Sequence, residues 1–197
     1  MLPVKISDYI KENIYYIIIA IPSVICTLIG YFMDIKPYII HGQSKITWQC
    51  FSYMFFSTSP GHLLINFMAT YIVFDAFKDY PVKIKPLIFI AFLVSGVICG
   101  ISSVYINPDN LYTAGISGAV YFSFSFLMFE ELSIGENKDQ QFHKLGWILF
   151  WVFNIYANYA VMKHGFLIDI TNHIAGVILG SFIGTMTIIY RIIISKH

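Results

Sequence analysis

Charge is scarce in this chain of 197 residues: only 12% are Asp, Glu, Lys or Arg, and the formal net charge is +1. The basic residues are scattered, so there is no stripe that could track a phosphate backbone, and nucleic acid is excluded as a partner. Cysteine is equally sparse. Cys26, Cys50 and Cys99 lie far apart without CxxC spacing, which argues against a disulfide framework or a metal site and for buried thiols. No low-complexity tail and no internal repeat interrupts the chain, so it reads as one domain over residues 1–197. The start, MLPVKISDYIKEN, carries charges of both signs, and the apolar run after it is too long for a signal-peptide core and lacks a small-residue cleavage site. That run is expected to persist as a helix.

What the chain does contain is hydrophobic residues, 57% of the total, which places it in a bilayer. Six apolar segments stand out: Ile14 to Phe32, His62 to Phe77, Leu87 to Ile106, Ile116 to Phe129, Leu145 to Met162 and Ile170 to Ile194. Each is at or near a spanning length, so the expected fold class is an all-α membrane protein with six transmembrane helices. The connections hold the breakers and charges, including Lys36-Pro37, Tyr80-Pro81, Asn107-Pro108-Asp109 and the polar run Glu130 to Lys144. Of the 12 Lys and Arg residues, Lys5, Lys11, Lys78, Lys83, Lys85, Lys138, Lys144, Arg191 and Lys196 fall on one side and Lys36, Lys45 and Lys163 on the other. By the positive-inside rule both termini are expected in the cytoplasm.

Two irregularities shape the functional reading. The first outer connection, Ile35 to Gly61, is long and aromatic (Trp48, Phe51, Tyr53, Met54, Phe55, Phe56), so it is expected to lie in the interface or pack on the bundle. The fourth segment has about 14 apolar residues, covering about 21 Å of a core ~30 Å thick. Its start is therefore recessed, and the stretch Ile106 to Gly115 is expected to line a wet, protein-walled hollow.

In this topology the second, fourth and sixth helices all begin on the outer side, and His62, Ser117 and His173 lie in their first turns, in one leaflet. His62 and Asn66 are spaced i, i+4 and share a helix face, which suits either an oxyanion hole or interhelical hydrogen bonding. Ser117 sits between Gly115 and Gly118 in GISG, which suits either a nucleophile approached closely by substrate backbone or a close-packing surface. It is not the strand-borne GxSxG elbow of soluble esterases. His173 is followed by Gly176, Gly180 and Gly184. Such a smooth face lets a neighbouring helix approach closely, and if that neighbour is the fourth helix, with Gly118 and Ala119, His173 comes within reach of Ser117. Asp169 is expected to be an N-cap residue, as is Thr171 in its place, and not a third catalytic acid.

Together these motifs resemble the rhomboid family of intramembrane serine proteases, whose pattern is HxxxN at the second helix, GxSG at the fourth and HxxG at the sixth. The chain reads HLLIN, GISG and HIAG at those places. The resemblance covers essentially the whole chain. It implies a six-transmembrane-helix rhomboid-like bundle with a long outer first loop and a short, recessed fourth helix. It also implies a Ser117–His173 dyad, an oxyanion hole from His62, Asn66 and backbone N–H near Ser117, and Tyr121 packed on the catalytic histidine. Two places depart from the family: Gln49 follows Trp48 where arginine is usual, and Asp75-Ala76 replaces a glycine-rich helix exit. The first departure leaves open how the first loop is anchored.

The expected function is endopeptidase cleavage of membrane-anchored proteins near the outer end of a transmembrane segment through an acyl-enzyme, with no metal and no organic cofactor. The resemblance makes the loop Met162 to Asn172, with His164-Gly165, a movable cap, and suggests a bacterial inner membrane. Two other readings stand beside it: a pseudoprotease that binds transmembrane helices without cutting, and a small transporter using Asn154 and Asn158 of the fifth helix. Oligomeric state is not readable from the sequence.

Overall fold

A backbone in hydrocarbon must satisfy its own polar groups, and five of the apolar segments do so as helices among the described residues. In the computed structural model, residues 12–41, 47–78, 80–107, 111–133, 151, 152, 156 and 169–194 are described. The helices are α1 (Ile14–Gly30), α2 (Pro60–Ala76), α3 (Lys85–Ile106), α4 (Ser117–Ser133) and α5 (Ile170–Ile194), the last being the sixth apolar segment. Of the fifth segment only Trp151, Val152 and Tyr156 are described, so Asn154, Asn158 and the cap residues His164-Gly165 lie outside the described residues.

Local chemistry sets the boundaries. Ser59 caps α2, its Oγ accepting from the His62 N–H at 3.1 Å, and Pro60 follows at the first helical position, where no N–H is needed. The helix α3 ends where Asn107, the residue before Pro108, turns extended. Asp169 caps α5: its Oδ1 accepts from the Asn172 N–H at 3.0 Å.

The most extensive helix contact is α4 against α5, and α3 packs on both; α1 packs on α2. Gly176 and Gly180 create the α4–α5 contact, because a side chain at either would overlap a main-chain carbonyl of α4, that of Gly118 or of Phe122. The seam read from the four-residue glycine spacing therefore faces the fourth apolar segment.

Polarity is distributed opposite to that of a soluble domain. Ile21, Ile25, Leu64, Ile65, Ile178 and Phe182 are exposed, whereas Thr70, Ser95, Ser103, Ser123, Ser125 and Asn172 are buried. Several buried hydroxyls bond back to the carbonyl one turn earlier, as Ser23 does to Ile19 at 2.9 Å and Ser123 to Ala119 at 3.0 Å. Among the described residues, α3 with 22 residues and α5 with 25 are long and apolar enough to cross a membrane.

The first connection packs on the bundle. It contains 3-10 turns at Lys36–Tyr38 and Tyr53–Phe55, a helical turn at Gln49–Ser52, and strand β1 (Ile40–His41). Cys50, Tyr53, Met54 and Phe56 are buried, while Trp48 and Phe51 are exposed. Gln49, standing where arginine was expected, anchors the loop by donating from Nε2 to the Pro37 carbonyl at 2.9 Å while its Oε1 accepts from Thr47 Oγ1 at 2.8 Å. Strand β1 pairs antiparallel with β2 (Tyr112–Thr113), Ile40 opposite Thr113. This ladder was not foreseen: two residues are too few for a period-2 pattern to register. The ladder also lies on the described part of the stretch before α4, where Leu111 and Thr113 are buried and Tyr112 is exposed.

Candidate active site

Three helix starts meet at one end of the bundle. The turn into α4 holds Gly115 at φ +110°, a conformation that favours glycine, and its N–H donates to the Tyr53 carbonyl at 2.9 Å. A Cβ there would also stand 2.7 Å from His62 Cε1 and 3.0 Å from Asn66 Nδ2. Two residues later Ser117 opens α4, where the first N–H groups of the helix have no intrahelical acceptor.

One turn into α5, His173 presents Nε2 to Ser117 Oγ at 2.9 Å. The Tyr121 ring lies flat against the imidazole, centroids 4.3 Å apart and planes 12° from parallel. Tyr121 is in turn 5.5 Å from the Trp151 ring. Ser117 and His173 are each only part-buried, so the pair is reachable. His173 Nδ1, however, is buried and makes no hydrogen bond among the described residues.

Asp169 is engaged elsewhere. One carboxylate oxygen caps Asn172; the other accepts from Ser103 Oγ at 2.6 Å and from Thr113 Oγ1. It caps the helix as expected and is half-buried in a polar network. The network forms because Ser103 on α3 and Thr113 on β2 both end beside the start of α5, a juxtaposition of segments distant in sequence.

Opposite the imidazole, His62 and Asn66 converge on Gly115. The Thr58 N–H donates to His62 Nδ1 at 3.4 Å, with Thr58 Oγ1 at 3.2 Å, which makes Nδ1 an acceptor and leaves the proton on Nε2, 2.9 Å from where a Gly115 Cβ would be. Asn66 Nδ2 is buried and makes no hydrogen bond among the described residues. Two N–H donors thus point at the turn that precedes Ser117. Such donors, with the positive end of the α4 dipole, favour an oxygen that gains negative charge.

Gly118 packs against the Asn172 carboxamide and Cys99, with no room for a side chain, and Gly176 packs against the Gly118 carbonyl. Sequence reasoning missed three contributors: Thr58, Asn172 and Tyr53. Thr58 and Asn172 look like ordinary helix-start residues, and Tyr53 is one aromatic among many in its loop.

The sequence profile described as Rhomboid domain matches residues 44–190, a stretch that takes in HLLIN, GISG and HIAG. No curated protein matches the chain. The match extends over well more than half of the sequence and joins the helical, apolar-faced fold just described: this chain is a member of the rhomboid family of intramembrane proteases, membrane proteins by nature.

Proposed function

We propose that the chain is an intramembrane serine endopeptidase working through a Ser117–His173 dyad. The observation that carries the proposal is the 2.9 Å approach of Ser117 Oγ to His173 Nε2, on a ring held by stacking and with no acid on its second nitrogen among the described residues. Ser117 Oγ attacks the scissile carbonyl as His173 Nε2 takes the hydroxyl proton. Asn66 Nδ2, His62 Nε2–H and the first N–H groups of α4 hold the oxyanion. As the C–N bond breaks, His173 returns the proton to the leaving amine, and water then repeats the sequence on the acyl-enzyme. Neutral imidazole is required, and histidine supplies it near pH 7.

In this proposal the substrates are membrane-anchored proteins cut near the outer end of a transmembrane segment. On the same proposal the chain is a six-helix bundle with both termini in the cytoplasm, in a bacterial inner membrane. The test is a fluorophosphonate probe and a transmembrane substrate with protein reconstituted in lipid. Wild-type protein is expected to be labelled and to cleave, and Ser117→Ala to do neither. Cleavage that survives Ser117→Ala, or wild-type protein that neither labels nor cleaves, sinks the proposal.

A further inference from the structure

Tyr53 is wholly buried in the connection before α2, and its main-chain carbonyl and its hydroxyl reach two different supports of the dyad. Its main-chain carbonyl receives the Gly115 N–H at 2.9 Å and so holds the turn that delivers Ser117. Its hydroxyl donates to the Gly96 carbonyl of α3 at 2.7 Å and accepts from Asn172 Nδ2 at 3.0 Å. Asn172 directly precedes His173, and its carboxamide fills the space beside Gly118, directly after Ser117. One loop residue therefore grips the approach to the nucleophile through its backbone and the first turn of the base's helix through its side chain, with α3 as the common reference.

Resting on the protease reading above, we infer that Tyr53, acting with Asn172, is a positioning residue that sets the Ser117–His173 approach. It touches no reacting atom. The ring alone does not account for this placement: it packs against Gly100, but the hydroxyl is what joins α3 to Asn172. Without that hydroxyl, Asn172 Nδ2 keeps, among the described residues, only Ser103 Oγ at 3.4 Å, and the Gly96 carbonyl loses a donor. A small displacement of the first turn of α5 carries the imidazole with it, and misplacement of about 1 Å costs on the order of 100-fold in rate.

Tyr53→Phe keeps the ring and the backbone bond to Gly115. We expect kcat to fall about 10- to 100-fold with KM within about twofold. Asn172→Ala should fall similarly, and the double variant no further than the worse single one. Tyr38→Phe is the control, an aromatic of the same loop that stacks on Phe56, away from the dyad. A readout independent of turnover is 15N NMR of labelled histidine, with His173 assigned through His173→Ala. Its ring resonances should shift or broaden in Tyr53→Phe and stay put in Tyr38→Phe. The inference is overturned if Tyr53→Phe keeps kcat within about twofold of wild type, or if its loss matches the loss of folded protein. Should wild-type protein fail to react with fluorophosphonate, the protease reading falls by itself. The NMR comparison still decides the positioning role, and unchanged His173 resonances in Tyr53→Phe overturn it.

Discussion

Asn66 Nδ2 is a buried donor with no hydrogen bond among the described residues, and a group in that condition costs stability in the resting protein. If it is reserved for an oxyanion, removing it should separate stability from catalysis. Asn66→Ala should lower kcat about 100-fold while the unfolding midpoint stays level or rises, measured by turnover and thermal denaturation of one preparation. A fall in both together would make Asn66 a structural amide. Tyr53 provides a second residue-scale prediction. Burial pushes its hydroxyl well above the ordinary tyrosine range, so the neutral form persists and donates to Gly96 across the assay range. The kcat ratio of wild type to Tyr53→Phe should therefore be flat between about pH 6 and pH 9, below the ordinary tyrosine pKa of about 10. A ratio that changes with pH there would mean that the hydroxyl acts by titrating. At this scale the motif residues were legible because HLLIN, GISG and HIAG each combine a polar residue with unusual spacing. Tyr53 and Asn172 were not, since their roles lie in partners 43 and 119 residues away along the chain.

The decisive unit at the scale of elements is the pair α4 and α5. Small residues let the two backbones approach, and that approach brings Ser117 and His173 together. Gly180 lies one turn beyond Gly176 and faces the Phe122 carbonyl, away from the dyad. Gly180→Leu should force the helices apart, abolishing fluorophosphonate labelling and lowering the unfolding midpoint. Ile178→Ala, on the exposed face of the same helix, should leave labelling intact. Equal labelling of both variants would show that the seam does not set the dyad distance. The glycine period was visible in the sequence, as was the neighbour it suits. The β1–β2 ladder and the Asp169 network were hidden, because short strands and hydroxyl pairs leave no periodic trace.

Among the described residues, two polar clusters stand at opposite ends of an apolar-sided bundle. One end holds the dyad; the other holds Glu130, which is buried and bonded to the Tyr80 hydroxyl and the Arg191 guanidinium. This clamp ties the connection before α3 to the far ends of α4 and α5. Removing one partner of a buried charge is costly, less so here because Arg191 is half exposed. Arg191→Met should destabilise the bundle by about 1–3 kcal/mol, read from the unfolding midpoint, with labelling per folded molecule unchanged. Loss of labelling without loss of stability would show that the two ends are coupled.

Composition and hydrophobic pattern by themselves determined the solvent, the helical class and the three motifs near helix starts. They did so because a bilayer demands apolar helices and tolerates polar residues only where they have a use. The 2.9 Å contact between Ser117 and His173, the employment of Asp169 away from the imidazole and the reach of Tyr53 were decided by tertiary structure alone. Each depends on which segments remote in sequence come to rest side by side, and that is settled by close packing at glycines and the pairing of buried polar groups.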